Sequence, residues 1–337
     1  MRILVMGGTW FLGKAVVESA LSRGWVVTTF NRGRSGRDVA GVEVVHGDRT
    51  LREDLLKLAQ HGPWDAVIDT SSSELSPREV GLAAGSLQDR AGRWVHISTV
   101  SVYEGWPHQP LTEKSPLLDC PADADASFGY TGEDGSPTQY GFQKAGGERA
   151  VAEAFDDSAV FLRPGVILGP GEYVGRLPWW LERAKRGGRI LAPAPAEQLI
   201  QPVDVRDVAR FALDQAVSSS GGGFNVTHPE GISFSGFLNE CLAMTKSDGT
   251  PVWVDGNVLA EQGVKQWTEL PLWRTHAGVW AVDSHRASEA GLRCRPIVET
   301  VRDTWKWWAE DGRPVNHPRW AEQGIAPEKE ARILASL

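Results

Sequence analysis

Short apolar runs alternate with helical stripes along the first half of the chain. Ile3-Leu-Val-Met6 is an apolar run closed by Gly7-Gly8, the pattern of a strand buried on both faces. From Phe11 to Arg23 the apolar positions Leu12, Val16, Ala20 and Leu21 recur at helical spacing, and Gly24 stands where a C-cap glycine belongs. Residues 25–30 predict a second strand, 42–46 a third, 64–69 a fourth and 94–98 a fifth, with helices over 51–60 and 76–89. Strands that alternate with helices predict an α/β fold: a doubly wound parallel sheet with ligands at the carboxyl ends of its strands. Further on, Gly221-Gly-Gly223 leads into a short strand over 224–226, and a helix is expected from Phe234 to Thr245. A helix over 298–308 is expected to bury Val301, Trp305 and Trp308, and the last thirty residues read as a polar tail with one short helix.

The turn after the first strand is Gly7-Gly8-Thr9-Trp10-Phe11-Leu12-Gly13. Gly7 and Gly13 hold the outer places of a dinucleotide fingerprint, while Trp10 takes the middle one, so its indole must swing outward. The architecture sets a pyrophosphate on a helix N-terminus, with Gly7, Thr9, Trp10, Phe11 and Leu12 around it. After the second strand comes Asn31-Arg-Gly-Arg34. No carboxylate stands there to accept from a ribose 2′-hydroxyl, and Arg32 and Arg34 suit a 2′-phosphate, so NADP is favoured, with NAD as the alternative. Asp48 is a candidate acceptor for the adenine amino group or a helix cap, with Arg49 beside it. Thr70, Ser71 and Ser72 are small enough to lie along a cofactor.

Tyr140-Gly-Phe-Gln-Lys144 places a phenol and an ammonium one helical turn apart. A nearby positive charge favours phenolate, bringing proton exchange closer to neutral pH. Composition narrows the class. The chain has 337 residues and is 41% hydrophobic, enough for one large domain or two linked ones. A net charge of −8, mixed along the chain, disfavours a nucleic-acid partner. Cys120, Cys241 and Cys294 lack ligand spacing, so neither a metal site nor a disulfide framework is expected. The start runs directly into the glycine turn, and no apolar run reaches the ~18 residues of a spanning helix. The expectation is a cytoplasmic protein with no membrane partner.

These motifs, together with Ile97-Ser-Thr-Val-Ser-Val-Tyr103, Arg163-Pro-Gly-Val-Ile-Leu-Gly-Pro170 and Gln201-Pro-Val-Asp-Val-Arg-Asp-Val-Ala209, resemble the extended and atypical branches of the short-chain dehydrogenase/reductase family. That group includes NAD-dependent epimerases and dehydratases, and the resemblance covers roughly residues 1–245. It implies a Rossmann-type domain over 1–168, its sheet completed by parts of 200–228, and a smaller C-terminal substrate-binding lobe over 169–337. It implies Tyr140 as acid or base, Thr99 orienting the substrate oxygen, Lys144 on the nicotinamide ribose, and Pro164 to Val166 beside the carboxamide. Ser101, Arg176, Trp179 and Trp180 are the substrate candidates. The activity implied is hydride transfer to or from a carbonyl or alcohol of a small, partly apolar molecule. A redox-neutral sugar or nucleotide-sugar epimerase or dehydratase is the alternative, and a dinucleotide-binding sensor without turnover is a third reading. Nucleotide-sugar enzymes carry an arginine where this chain has Ile200, which argues against a nucleotide sugar. Relatives often pair through the helices around Tyr140, so the resemblance admits a homodimer and leaves the oligomeric state open. The acidic loop 112–138, including Asp134, reads as a substrate lid or as a disordered surface loop.

Overall fold

The computed structural model describes residues 1–34, 36–133, 135–310 and 317–337. Asp134 of the acidic loop lies outside them. The described residues divide into two units. The N-terminal unit comprises residues 1–165, 205–229 and 277–293, and the C-terminal unit comprises 166–204, 230–276 and 294–337. Residues 277–293, expected in the C-terminal lobe, thus belong to the first unit.

The first unit is built on strands β1 (Arg2–Met6), β2 (Val26–Asn31), β3 (Glu43–His46), β4 (Ala66–Asp69), β5 (Trp94–Ile97) and β6 (Ala159–Pro164). With strand Gly222–Val226 they form a seven-stranded sheet, ordered from the late strand through β6, β5, β4, β1 and β2 to β3. All the pairings are parallel. The order reverses direction beside β1, where such sheets bind ligands. Helices α1 (Phe11–Ser22), α2 (Arg52–Ala59), α3 (Pro77–Leu87) and α4 (Gln139–Phe155) connect the strands. Ser76 and Glu79 close a capping box at the head of α3, with Pro77 in its first turn. Leu55, Leu58, Val80, Ala84, Leu87 and Val151 from α2, α3 and α4 pack with Leu4, Met6, Val67 and Trp94 of the sheet. Helices α1 and Val205–Val217 pack against each other.

The 112–138 loop is anchored rather than loose over part of its length. Leu118, Cys120 and Ala124 are buried with Val102, Tyr103 and Phe142. The glycine at position 146 of α4 makes this possible, since a Cβ there would stand 2.7 Å from Cys120 Sγ and 2.9 Å from the Pro121 carbonyl.

In the C-terminal unit, α5 (Arg176–Lys185) packs on helix Phe234–Thr245, and strands Arg189–Pro193 and Thr250–Val254 pair in parallel. Helix Ile297–Glu310 buries Thr300, Val301 and Thr304, so Trp305 and Trp308 are only half-buried, contrary to the expected stripe. The indole of Trp308 donates to Glu182 at 2.6 Å and stacks on Trp320. The tail is also more than polar. Helix Pro327–Ala335 buries Ile333 and Leu334, and its Glu330 receives the Arg183 guanidinium at 2.7 Å. Among the described residues no helix is long and apolar enough to cross a membrane.

Candidate active site

Strand β1 delivers the chain into Gly7 and Gly8 at φ of +108° and +103°, where side chains are disfavoured. A Cβ on Gly13 would lie 2.7 Å from both the Gly8 nitrogen and Thr70 Oγ1, so only glycine lets α1 sit this close to the turn. Thr9 and Leu12 are buried, Phe11 is half-buried, and Trp10 is a half-buried N-cap in extended conformation. No acidic side chain occupies the first turn of α1. The positive end of the helix thus carries no acidic residue of its own, and the cradle fits a dinucleotide pyrophosphate.

At the end of β2 the structure revises one expectation. Asp38 folds back so that its carboxylate accepts from the Asn31 amide at 2.8 Å and faces His46 Nε2 at 3.2 Å. Asn31 Oδ1 in turn accepts from the Gly33 backbone at 2.7 Å. A carboxylate is thus present near Asn31, contributed from seven residues downstream, but its two oxygens already face the Asn31 amide and His46. Arg32 and Arg34 are exposed and near enough to Asp48 to favour its ionised form. Bonds from the Thr50 amide and hydroxyl hold Asp48 below the usual carboxylate range more strongly than the arginines do. Asp48 is therefore engaged as a turn cap.

Arg49 is a correction. It was expected to bind cofactor, but its guanidinium is 8% exposed and grips Asp69 through two bonds of 2.6 and 2.9 Å. A third bond reaches Ser71 Oγ at 2.8 Å. Thr70 and Ser72 are likewise engaged, Thr70 with the Met6 carbonyl at 2.9 Å and Ser72 with Lys144 at 2.8 Å.

Thr138 caps α4 by accepting from Gly141, which places Tyr140 in the first helical turn. Tyr140 is 41% exposed, whereas Lys144, one turn on, is 3% exposed. The Lys144 ammonium donates to Ser72 Oγ and the Ile97 carbonyl, and lies 3.4 Å from His96 Nε2. Its three protons are thus directed to protein groups. Burial lowers the Lys144 pKa to about 8, against the pull of the Asp69 and Glu148 carboxylates. Burial and then Lys144 push His96 downward too, so the imidazole is neutral and its lone pair faces the ammonium.

A Cβ at Gly141 would stand 2.4 Å from the Ser101 carbonyl, so the start of α4 is pressed against the turn that follows β5. In that turn Thr99 Oγ1 accepts from the Ser101 amide at 3.2 Å and lies 3.3 Å from the Ser101 hydroxyl. Ser98 points elsewhere, to the buried Glu148. Thr99 and Ser101 thus lie together and Ser98 points away, but a 3₁₀ turn over Val100–Val102 brings this about rather than the strand alternation expected.

Beneath the site runs a buried polar chain that sequence reasoning missed. Arg163 grips Glu148 at 2.6 and 2.9 Å and donates to Tyr103 Oη at 2.8 Å, and Tyr103 donates to Asn225 at 2.7 Å. Asp69, His96 and Arg49 form its counterpart on the other side of Lys144. A signal existed: His96 interrupts the apolar run Trp94-Val-His-Ile97, and a polar residue at a buried strand position needs a partner.

Pro164 ends β6, and both it and Val166 are buried. In the C-terminal unit Trp180 is a second correction. It is fully buried, donates to the Pro271 carbonyl at 2.8 Å and packs edge-on to Phe234, so it builds the core rather than a pocket wall. Trp179 is half-buried and lines a cavity of about 460 Å³ with Glu182, Arg183 and the 323–327 turn. Arg176 is buried beside Glu172 and Trp267.

A parallel sheet with a glycine cradle at its switch point and a Tyr–Lys helix beside β5 defines a dinucleotide-dependent enzyme of the short-chain dehydrogenase/reductase type. Residues 3–226 match the NAD dependent epimerase/dehydratase family, and the chain belongs to it. It is 27% identical to the 2-alkyl-3-oxoalkanoate reductase of Stenotrophomonas maltophilia, over 72% of this chain and 75% of that one. It is 28% identical to the decarboxylating sterol-4-alpha-carboxylate 3-dehydrogenase of Bos taurus, over 72% of this chain and 69% of that one. The enzyme WbmH of Bordetella bronchiseptica, solved with NAD+, has a similar fold, with a TM-score of 0.70 at 18% identity, covering 93% of this chain and 99% of that one.

Proposed function

We propose that the protein is an NADP-dependent oxidoreductase acting on a carbonyl or alcohol of a small, partly apolar molecule. The observation that carries this reading is the pairing at the head of α4: a phenol open to solvent, one turn from a buried ammonium, on a helix pressed against the Thr99–Ser101 turn. Tyr140 donates a proton to the nascent alkoxide in reduction and removes it in oxidation. Thr99 orients the oxygen. Lys144 acts through its charge, because its protons already bond Ser72, Ile97 and His96. The nicotinamide, when bound, supplies or accepts the hydride. Gly7, Thr9, Trp10, Phe11 and Leu12 hold its pyrophosphate, and Arg32 and Arg34 receive the 2′-phosphate.

The names of these two relatives support an oxidoreductase, and each describes a substrate whose acid group is on the carbon next to the one that carries the redox oxygen. The epimerase alternative gains little from Ile200, which is fully buried where a diphosphate-binding arginine was sought. Turnover of ketones and 3-oxo acids with NADPH is the direct test. Tyr140→Phe should lower kcat by roughly 10²–10⁴-fold while NADPH binding is kept. Unchanged turnover in that variant would refute the assignment. Cofactor choice is tested separately: Arg32→Gln with Arg34→Gln should erode any preference for NADPH over NADH.

A further inference from the structure

Three side chains from separate elements of the N-terminal unit form a line that ends on the Lys144 ammonium. Arg49, in the turn after β3, donates to the Asp69 carboxylate at the end of β4 through bonds of 2.6 and 2.9 Å. Asp69 Oδ2 in turn stands 3.4 Å from Nδ1 of His96 on β5. On the other edge of the imidazole, Nε2 lies 3.4 Å from the Lys144 ammonium and 3.5 Å from Ser72 Oγ. The line Arg49–Asp69–His96–Lys144 is thus continuous, and every member of it is less than a tenth exposed.

The charges at its two ends fix the imidazole. A neutral imidazole has one N–H and one lone pair, and the group that faces each nitrogen decides which is which. The carboxylate takes the N–H, so Nδ1 carries the proton and Nε2 presents its lone pair to Lys144. Burial and then the ammonium keep a second proton off the ring, against the pull of Asp69 and Glu148. The paired bonds from Arg49 hold the plane of the Asp69 carboxylate. Lys144 has two other acceptors, the main-chain carbonyl of Ile97 and the hydroxyl of Ser72. His96 differs from both, because another side chain sets which of its nitrogens accepts.

We propose that His96, oriented by Asp69 and Arg49, is a positioning residue for Lys144 that keeps its ammonium charged and anchored one helical turn from Tyr140. This rests on the oxidoreductase reading above and adds to the residues of that site. The other charged groups facing Lys144 are Asp69 and Glu148, which favour its charge, and Arg49, which opposes it. A network that only held the core together would not depend on which edge of residue 96 accepts.

Two substitutions separate these roles. Glutamine in His96→Gln places its amide where Nε2 stands and can accept from Lys144, whereas the shorter side chain in His96→Asn reaches only the place of Nδ1. The titration of Lys144 is read from its ε-carbon resonance by NMR, assigned with Lys144→Met, without cofactor or turnover. The midpoint, at about 8 in the unaltered protein, should fall by about one pH unit in His96→Asn, as loss of a hydrogen bond to a charged group implies. It should stay in place in His96→Gln. In ketone reduction with NADPH the alkaline limb of kcat should move with the midpoint while KM for the ketone is kept. A midpoint unmoved by His96→Asn overturns the proposal, as does an equal shift in both variants. If either variant does not fold, nitrogen NMR of the unaltered protein still decides: a His96 ring protonated at Nε2 overturns the proposal, and one protonated at Nδ1 alone supports it. Failure of the catalytic reading is seen in the turnover of Tyr140→Phe, and failure of this one in the titration of Lys144.

Discussion

Two buried arginines, Arg49 in the N-terminal unit and Arg176 in the C-terminal one, meet their carboxylates in opposite ways. Arg49 and Asp69 are joined by two short parallel bonds, and Ser71 takes a further proton. Arg176 stands 3.8 Å from a glutamate whose oxygens are held by a helix N-terminus. The titration shifts follow the geometry. Burial opposes ionisation of Asp69, but the Arg49 charge and bonds overcome it and hold the carboxyl far below its usual range. For Glu172, burial prevails over Arg176 and the carboxyl is pushed upward. Both arginines are out of water, so burial alone does not separate the tightly paired charge from the loosely paired one. Completeness of partnering does.

The largest expected effect tests that distinction directly. Arg49→Met strands Asp69 in the core and should cost about 3–5 kcal/mol in chemical denaturation, the usual penalty for breaking a buried pair. Arg176→Met breaks only a long contact and keeps an apolar chain against Trp267, so it should cost less than Arg49→Met. Equal losses in the two variants would erase the contrast.

A smaller effect lies in acid stability, where the two carboxylates act with opposite sign. The folded pKa of Asp69 is below its unfolded value near 3.9, so its contribution is present above that value and lost as pH falls. The folded pKa of Glu172 is raised, so protonation on acidification favours the native state. Asp69→Asn should therefore flatten the fall of the urea midpoint below about pH 4, and Glu172→Gln should steepen it above about pH 4. The smallest effect is on the pH profile of catalysis. Lys144, at about 8, faces Asp69, Glu148, Arg49 and His96. Turnover should fall as pH rises through that value and the ammonium is lost. In Asp69→Asn the limb should move to lower pH, because that carboxylate helps to keep the proton on Lys144.

Much of the first unit was legible along the chain because it is local. Strand β1, the glycine turn and α1 follow from apolar periodicity and backbone freedom over some twenty residues, and helix Phe234–Thr245 falls where its pattern predicted. The Tyr140–Lys144 spacing likewise needs nothing but helical geometry. What escaped the sequence depends on contacts between distant segments. Arg49 looked like a loop arginine facing a ligand until β4 brought Asp69 beneath it, twenty residues on. Asp38, seven residues from Asn31 along the chain, is brought back to it only by the fold. Trp179 and Trp180 are adjacent and chemically identical, yet one lines a cavity and the other fills the core, because successive helical positions point about 100° apart.

By itself, then, the sequence determined the parallel α/β order, the cofactor cradle and the Tyr–Lys pair, since each arises from residues within a turn or a strand of one another. Only the tertiary structure decided which charged side chains meet an opposite charge at bonding distance and which meet it only at longer range. Neutralisation requires an opposite charge within bonding distance. For Arg49 that partner comes from β4, and for Arg176 the Glu172 carboxylate is held 3.8 Å away by a helix end.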